Sequence, residues 1–156
     1  MATRKRTKAK RSVKRSAGKK RAARKRSAAR SKARRGGADL RAFARRIVDV
    51  TRSNDDEATL ALYADDVEST EQGQPAMRGL DSIKQKFAGW RSMTSDAHFE
   101  PRRVVVDGNT IVIEWVGDVT LTASGKRAQL HEVAIHEIRD GKIAREAYFY
   151  DPTTLR

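Results

Sequence analysis

The charged residues of this 156-residue chain are divided unequally, and this division decides which part of the chain can fold. Residues 1–37 contain 18 Lys or Arg and no Asp or Glu, whereas the other 119 residues hold the remaining 16 Lys or Arg against 20 Asp or Glu. Apart from Met1, Val13 is the only sizeable apolar side chain before residue 38. A segment without apolar side chains cannot offset the entropy lost on ordering. We therefore predict a disordered basic tail over 1–37 and one folded domain over 38–156.

The tail has the composition of a segment that binds nucleic acid or another polyanion. Each phosphate neutralised by a cationic side chain releases counterions, which gives affinity without reading base sequence. The tail has no aromatic side chain to stack on bases, so recognition of a specific single-stranded sequence is not expected. It resembles histone tails in composition only, and a solubilising extension or a nuclear localisation signal is the alternative. The candidate contact residues are Arg4, Lys5, Arg6, Lys19, Lys20, Arg21, Arg24, Lys25, Arg26, Arg34 and Arg35.

Several classes of protein are excluded by what the chain lacks. Without cysteine it has no disulfide framework, no thiolate zinc site and no thiol nucleophile. No run approaches the roughly 20 apolar residues of a bilayer span, so no membrane contact is expected. His131 and His136 are five residues apart on a predicted strand and point to opposite faces, so we expect no metal and no cofactor. The expected location is the cytoplasm, in association with the nucleoid, or the nucleus of a eukaryotic host.

The first half of the domain has helical periodicity. Asp39 is placed to cap a helix whose apolar positions recur every three to four residues, and the run Ser53–Asp55 ends it. Asp55 or Asp56 begins a short second helix that continues to Tyr63. The third helix begins near Asp81, and its apolar face carries Ile83, Phe87 and Trp90.

After Ser95 the period changes to the alternation of strands. We predict strands over Ala97–Val106, Thr110–Leu121, Arg127–Ile138 and Ile143–Asp151. Asp-Gly turns join the first strand to the second and the third to the fourth, and such dipeptides favour tight hairpins. Helices followed by an antiparallel meander predict an α+β domain in which a curved sheet wraps around three N-terminal helices.

Two groups of residues resemble a known family. Leu62–Val67 followed by Arg78–Ile83 is similar to the YADD…G-x-x-x-I signature of SnoaL-like and ketosteroid isomerase-like proteins, which belong to the nuclear transport factor 2-like superfamily. Asp140–Glu146 followed by Tyr150 and Asp151 resembles the DGKI…YYD ending of the same group. The resemblance implies a cone-shaped (nuclear transport factor 2-like or cystatin-like) fold with a central pocket, commonly dimeric through its sheet.

The resemblance also carries functional positions onto this chain. The catalytic carboxylate of the isomerases falls at Glu71, eight residues after Tyr63. Their oxyanion-stabilising groups fall at Ile47, Phe87 and Ala134, none of which can donate a hydrogen bond. Ketosteroid isomerase activity itself is therefore not expected.

Alternation of side chains assigns the pocket wall. The inward set joins a few polar groups to an apolar wall, which is typical of a small-molecule site. The predicted pocket residues are Phe87, Trp115, Val119, Ala134, Glu146, Tyr148 and Tyr150, and the catalytic candidates are Glu71, Glu132 and His136. Glu132 and His136 flank Ala134 on one strand face, so a proton could pass between them or through a ligand. The alternative is a buried polar network that only fixes the core.

The outer sheet face keeps apolar side chains, including Val133, Ile135 and Phe149, and predicts a homodimer. Three functions remain open at this point. The domain could bind a small apolar molecule while the tail holds it on nucleic acid. It could be a cofactor-free enzyme of the cyclase, isomerase or hydratase type, or a non-catalytic dimerisation module.

Overall fold

The computed structural model describes residues 39–156, so the predicted disorder of the basic tail lies outside the described residues. Within that range the helices are α1 over 39–53, α2 over Asp56–Leu60 and α3 over Leu80–Met93. The strands are β1 Tyr63–Glu71, β2 Met77–Arg78, β3 Thr94–Asp107, β4 Thr110–Leu121, β5 Arg127–Arg139 and β6 Lys142–Tyr150. A short 3-10 helix over Pro152–Leu155 follows β6.

The six strands form one sheet in the order β2-β1-β6-β5-β4-β3. Every neighbouring pair is antiparallel except β1 and β6, which run parallel. Register shifts interrupt three of the five pairings, for example β3 with β4 between Pro101 and Arg103, and such bulges bend a strand. The predicted α+β fold with a curved sheet is confirmed, and the sheet is mixed rather than wholly antiparallel.

The helices begin and end where local chemistry favours it. Asp55 caps α2, its side chain accepting a hydrogen bond from the Ala58 N–H at 2.9 Å. Asn54, between α1 and α2, has a φ of 53°, a left-handed conformation that asparagine tolerates well. Asp39, the predicted cap of α1, lies within the helix.

The alternation of β4 and β5 follows the prediction closely. On β4 the residues from Ile111 to Leu121 alternate buried and part-exposed without interruption. Asp140 and Gly141, between β5 and β6, have φ values of 52° and 73°. Positive φ at both central residues is the requirement of a two-residue hairpin turn, which is why this dipeptide predicted the hairpin correctly.

Strand β1 is the main element that the sequence pattern missed. The prediction extended α2 to Tyr63 and placed the first strand at Ala97, but Asp65 and Asp66 lie in β1 and are exposed. Aspartate is rare in strands, so the local pattern did not indicate one here. The strand forms because Val67 and Ser69 are buried while Asp66 on the outside pairs with Arg139.

The core lies between the helices and the inner face of the sheet. Its larger cluster joins α1, α3 and the middle of the sheet, where Ile83, Ile111 and Ile113 are fully buried. A smaller cluster is built on Ala97, Val119 and Leu121, and Trp90 and Phe99 pack against it. Side chains that belong to or pack against both clusters also line an open space on the inner face.

Gly117 gives a test of this packing. A Cβ at this position would lie 2.7 Å from Cδ1 of Phe99, whose ring covers the glycine. Gly117→Ala should therefore displace that ring and lower the free energy of unfolding by about 1–3 kcal/mol, measured by urea denaturation. Gly89→Ala is the matched control, since no atom lies within 4 Å of its Cβ. In helix α3 it should raise stability by about 0.5–1 kcal/mol. Equal effects of the two substitutions would contradict this packing.

Candidate functional site

A cavity of about 630 Å³ lies between α1, α3 and the inner face of the sheet. A cavity of this size can hold a drug-sized organic molecule. Exposed residues of the loop after β1, Gln74, Pro75 and Ala76, also line it, so it opens to solvent there. The Phe, Tyr and Trp rings that line it are those of Tyr63, Phe87, Trp90, Phe99, Trp115, Tyr148 and Tyr150.

Strand register places the polar side chains of the inner face in rows. Residues paired across neighbouring strands point to the same face of a sheet. One row is Trp115, Glu132 and Tyr150 on β4, β5 and β6. The second row contains Ala134, Tyr148 and Glu71, and the third contains His136, Glu146 and Ser69.

Glu146 is the centre of the third row, and its side chain is fully buried. Its Oε2 accepts hydrogen bonds from the hydroxyls of Tyr63 at 2.5 Å and Tyr148 at 2.9 Å. Its Oε1 accepts from the Ser69 hydroxyl at 2.7 Å and from Lys86 Nζ at 3.1 Å. Four donors therefore surround one carboxylate.

These donors decide the charge of Glu146. Burial by itself would raise the pKa of this carboxyl, but Lys86, the neighbouring His136 and the hydroxyls of Tyr63 and Ser69 together outweigh it and hold the pKa below its usual value. In turn, burial and the negative charge of Glu146 raise the pKa of both Tyr63 and Tyr148. At neutral pH the cluster is an ionised carboxylate held by two neutral phenols.

Lys86 joins this cluster to a second carboxylate. Its Nζ lies 3.3 Å from Glu71 Oε1 and 3.8 Å from the centre of the Tyr148 ring. Ion pairs on both sides and a cation–π contact below hold the ammonium in place. The other oxygen of Glu71 accepts a hydrogen bond from the Tyr150 hydroxyl at 2.9 Å. Glu71 lines the cavity. Each of its two oxygens therefore already has a partner.

His136 lines the cavity without a hydrogen-bond partner. The residue is 2% exposed, and neither ring nitrogen has a partner among the described residues. The nearest carboxylate oxygen is Oε2 of Glu146, 3.7 Å from Nδ1, which is too far for a hydrogen bond. Burial lowers the pKa of His136 against the opposing effect of Glu146, so the imidazole is neutral at pH 7. Lys86 is therefore the cation that keeps Glu146 ionised.

Glu132 is the carboxylate of the site that can change charge near neutral pH. Burial raises its pKa to about 7, Glu71 and Glu146 add to the rise, and Lys86 opposes it. The side chain makes no hydrogen bond or ion pair with any residue between 39 and 156, and the residue is partly exposed where it lines the cavity. A carboxyl with a pKa near the operating pH has the protonation behaviour that acid–base catalysis needs.

A sequence model of the SnoaL-like domain matches residues 30–146, three quarters of the chain. The chain belongs to the SnoaL-like family. No curated protein sequence matches it as a relative.

Solved structures resemble this SnoaL-like domain in fold. A putative SnoaL-like polyketide cyclase from Jannaschia sp. CCS1 matches with a TM-score of 0.69 and 15% identity, over 75% of this chain and 88% of that chain. An epoxide hydrolase of M. tuberculosis matches at 0.64 and 15%, over 77% and 88%. A ketosteroid isomerase-like protein from Catenulispora acidiphila, solved with trimethylamine, matches at 0.65 and 15%, over 72% and 88%. At these identities the likeness shows the fold.

The SnoaL-like cavity collects most of the residues named from the sequence. Glu71, Phe87, Trp115, Glu132, His136, Tyr148 and Tyr150 all line it. Three other predicted pocket residues do not. Val119 belongs to the smaller core cluster, Ala134 is fully buried beneath its neighbours, and Glu146 lies under the tyrosines that bind it.

The carboxylate beside His136 is not the one that the predicted proton exchange with Glu132 requires. Both side chains face the cavity, but the carboxylate beside His136 is that of Glu146, its partner across β5 and β6. Alternation along one strand showed which residues share a face. It could not show that a cross-strand neighbour lies closer than a residue four positions away.

Lys86, Tyr63 and Ser69 were missed as members of this SnoaL-like site. Tyr63 and Ser69 were hidden because β1 was not recognised as a strand. Lys86 has the spacing of the buried face of α3, three residues after Ile83 and four before Trp90. That spacing, together with an excess of inward carboxylates needing a cation, was the signal that could have found it.

The remaining sequence predictions concern nucleic acid, membranes and metals. The eleven candidate nucleic-acid contacts of the tail lie outside the described residues. No helix in the described part of the chain is long and apolar enough to cross a bilayer. Over the same range, no group of three His, Asp or Glu side chains is arranged to hold a metal ion.

Proposed function

We propose that the domain binds a small, largely apolar organic molecule in its cavity, with the polar end of that molecule directed at His136 and Glu132. One observation carries this proposal: His136 is buried, faces an open aromatic cavity, and has both ring nitrogens unpartnered. A buried polar group without a partner costs about 1–3 kcal/mol. A bound molecule that hydrogen-bonds the imidazole would remove that cost. The neighbour solved with trimethylamine supports small-molecule binding by this fold.

Blocking the cavity tests the proposal. Gly89 lines the cavity and has open space around its Cβ position. Gly89→Phe should fill part of that space and abolish retention of a molecule that native mass spectrometry detects on protein purified from its own host. Ala88→Phe, on the exposed side of the same helix, is the matched control and should retain it. Absence of any retained molecule on the wild-type domain would favour the non-catalytic dimerisation module.

A cofactor-free acid–base enzyme is the second candidate, favoured by the pKa of Glu132 near 7. Glu132 would exchange a proton with the bound molecule, and neutral His136 would orient it. Glu71 is the weaker candidate base, because Lys86 and Tyr150 already occupy its oxygens. The retained molecule, incubated with the protein in D₂O, should then gain deuterium at a carbon that does not exchange without the protein, and Glu132→Gln should slow that gain by about a hundredfold or more. If the wild type shows no such exchange, the acid–base enzyme is excluded and ligand binding remains as the function.

The basic tail in this proposal holds the domain on nucleic acid. Its 18 cationic side chains within 37 residues support this role. Deleting residues 1–37 should abolish retention on duplex DNA, while binding in the cavity is unchanged. Affinity of the full-length protein should fall by about a thousandfold between roughly 50 and 200 mM salt, measured by fluorescence anisotropy. Retention that survives the deletion would overturn this part of the proposal and with it the association with the nucleoid.

The outer sheet face completes the proposal as a homodimer interface. Val133 and Phe149 are paired across β5 and β6 and are 36% and 46% exposed. Adjacent exposed apolar side chains commonly mark an interface. A dimer would present two tails to one polyanion and raise avidity through effective concentration. Sedimentation at micromolar concentration should give the mass of a dimer. The mass of a monomer would contradict the proposed interface.

A further inference from the structure

The cavity has more negative than positive charge. Three carboxylates, Glu71, Glu132 and Glu146, lie on or under its inner wall, against one ammonium, that of Lys86. At the edge of the cavity, Arg91 pairs with Asp56 at 2.6 Å, so these two charges compensate each other. His136 is neutral and contributes no charge. The cavity wall therefore has an excess of acidic groups.

The partners of these carboxylates show where the excess lies. Glu146 has four donors, and Glu71 has Lys86 and the Tyr150 hydroxyl. Lys86 is shared by both and lies on the Tyr148 ring. Glu132 has no donor or cation from any residue in 39–156 and faces the cavity. An ionised Glu132 would therefore take its counter-charge from whatever occupies the cavity.

The neighbours of Glu132 suit a particular kind of counter-charge. Register pairs it with Trp115 on one side and Tyr150 on the other, and all three line the cavity. Trp90 and Phe99 line the cavity too, with ring centres 6.0 Å apart. Aromatic faces attract cations, most strongly those of tryptophan, and cages of such rings around a charge bind quaternary ammonium groups.

Resting on the proposed function, we infer that the ligand of this cavity is an organic cation, a protonated amine or quaternary ammonium bearing an apolar group, whose charge lies at Glu132 between Trp115 and Tyr150. The apolar part of the molecule would fill the aromatic space beyond. Anionic molecules are disfavoured, because the two cationic side chains that line the cavity are already paired, Lys86 with two carboxylates and Arg91 with Asp56.

Cation binding should be linked to proton release. The titratable groups around Glu132 are Tyr63 and Glu71 from β1, Lys86 from α3, His136 from its own strand, and Glu146, Tyr148 and Tyr150 from β6. Without ligand, Glu132 is mostly protonated below pH 7. A cation at its side favours the carboxylate, so binding lowers the pKa and releases a proton. Affinity for a cation should therefore rise as the pH increases through about 7.

Three probes of similar size distinguish the effect of ligand charge on affinity from the effect of ligand shape. They are trimethylphenylammonium, its uncharged carbon isostere tert-butylbenzene, and benzoate. Binding is measured at pH 8 through the fluorescence of Trp90 and Trp115, both of which line the cavity. The cation should bind about tenfold or more tightly than its isostere, and benzoate should bind weakest.

Variants assign the effect to Glu132. Glu132→Gln keeps the shape of the side chain and should weaken cation binding about tenfold while leaving the uncharged isostere unchanged. Glu137→Gln, on the outer face of the same strand, is the matched control and should change neither. Calorimetry at pH 6.5 in two buffers of different ionisation enthalpy should show proton release in the wild type and none in Glu132→Gln. Trimethylphenylammonium has no proton to lose, so the release comes from the protein.

Equal affinity of wild type for the cation and its isostere would overturn the inference, whether or not the variants fold. It would leave the proposed function intact, since both probes would then occupy the cavity. Tighter binding of benzoate, or binding of none of the three probes, would also overturn it. The mass-spectrometric comparison of Gly89→Phe with Ala88→Phe tests ligand binding independently.

Discussion

Replacing Lys86 with methionine should lower the free energy of unfolding by about 3–5 kcal/mol at pH 7. The Lys86 side chain is 15% exposed, and its ammonium lies 3.1 Å from Glu146 and 3.3 Å from Glu71 and is the cation nearest to both. Methionine fills a similar volume but leaves the fully buried carboxylate of Glu146 without its counter-charge. Removing one partner of a buried ion pair is costly for this reason. Urea denaturation monitored by tryptophan fluorescence measures the difference.

Two further variants separate this effect from a general loss of helix packing. Lys84→Met lies two residues away on α3, and its ion pair with Asp81 is exposed on both sides, so it should change stability by less than about 1 kcal/mol. Glu146→Gln added to Lys86→Met removes the uncompensated charge and should recover part of the loss. Equal effects of Lys84→Met and Lys86→Met would show that Lys86 does not compensate a buried charge.

The sheet was predictable because its signals are local. Alternation of apolar side chains placed β4 at its observed ends, Thr110 and Leu121, and Asp140-Gly141 fixed the hairpin that leads into β6. Strand β1 was not predictable, because its neighbour β6 lies about 80 residues away along the chain. Pairing at that distance leaves no mark on the local pattern around Asp65 and Asp66.

The same distinction applies to the site. Face alternation on β5 and β6 predicted an inward position for Glu132, His136, Tyr148 and Tyr150, and all four line the cavity. The contacts that give these groups their chemistry were not predicted, because they cross between elements. Lys86 from α3 reaches Glu146 on β6, and Tyr63 from β1 reaches the same carboxylate. Such contacts depend on how elements pack, which periodicity within one element does not contain.

Glu132→Gln should stabilise the domain at pH 8 by up to about 3 kcal/mol, with little effect at pH 4.5. Because the folded-state pKa of Glu132 is about 7, above the ordinary 4.5, the folded domain keeps a proton that the unfolded chain has released between those values. Unfolding then releases that proton, so rising pH favours unfolding and the wild-type stability declines through this window. Glutamine has no such proton, so the variant lacks this decline. Because water enters the open cavity, about 3 kcal/mol is an upper value for the stabilisation.

Urea denaturation at pH 4.5, 6 and 8 measures this difference, with Glu137→Gln as the control that should follow the wild type throughout. A parallel pH dependence of Glu132→Gln and wild type would show that Glu132 is solvated in the folded domain. Stabilisation on removing a pocket carboxylate is the behaviour expected when a side chain is kept for function at the expense of stability. Adding trimethylphenylammonium at pH 8 should therefore stabilise the wild type and reduce its difference in stability from Glu132→Gln. A bound cation supplies the counter-charge that Glu132 lacks.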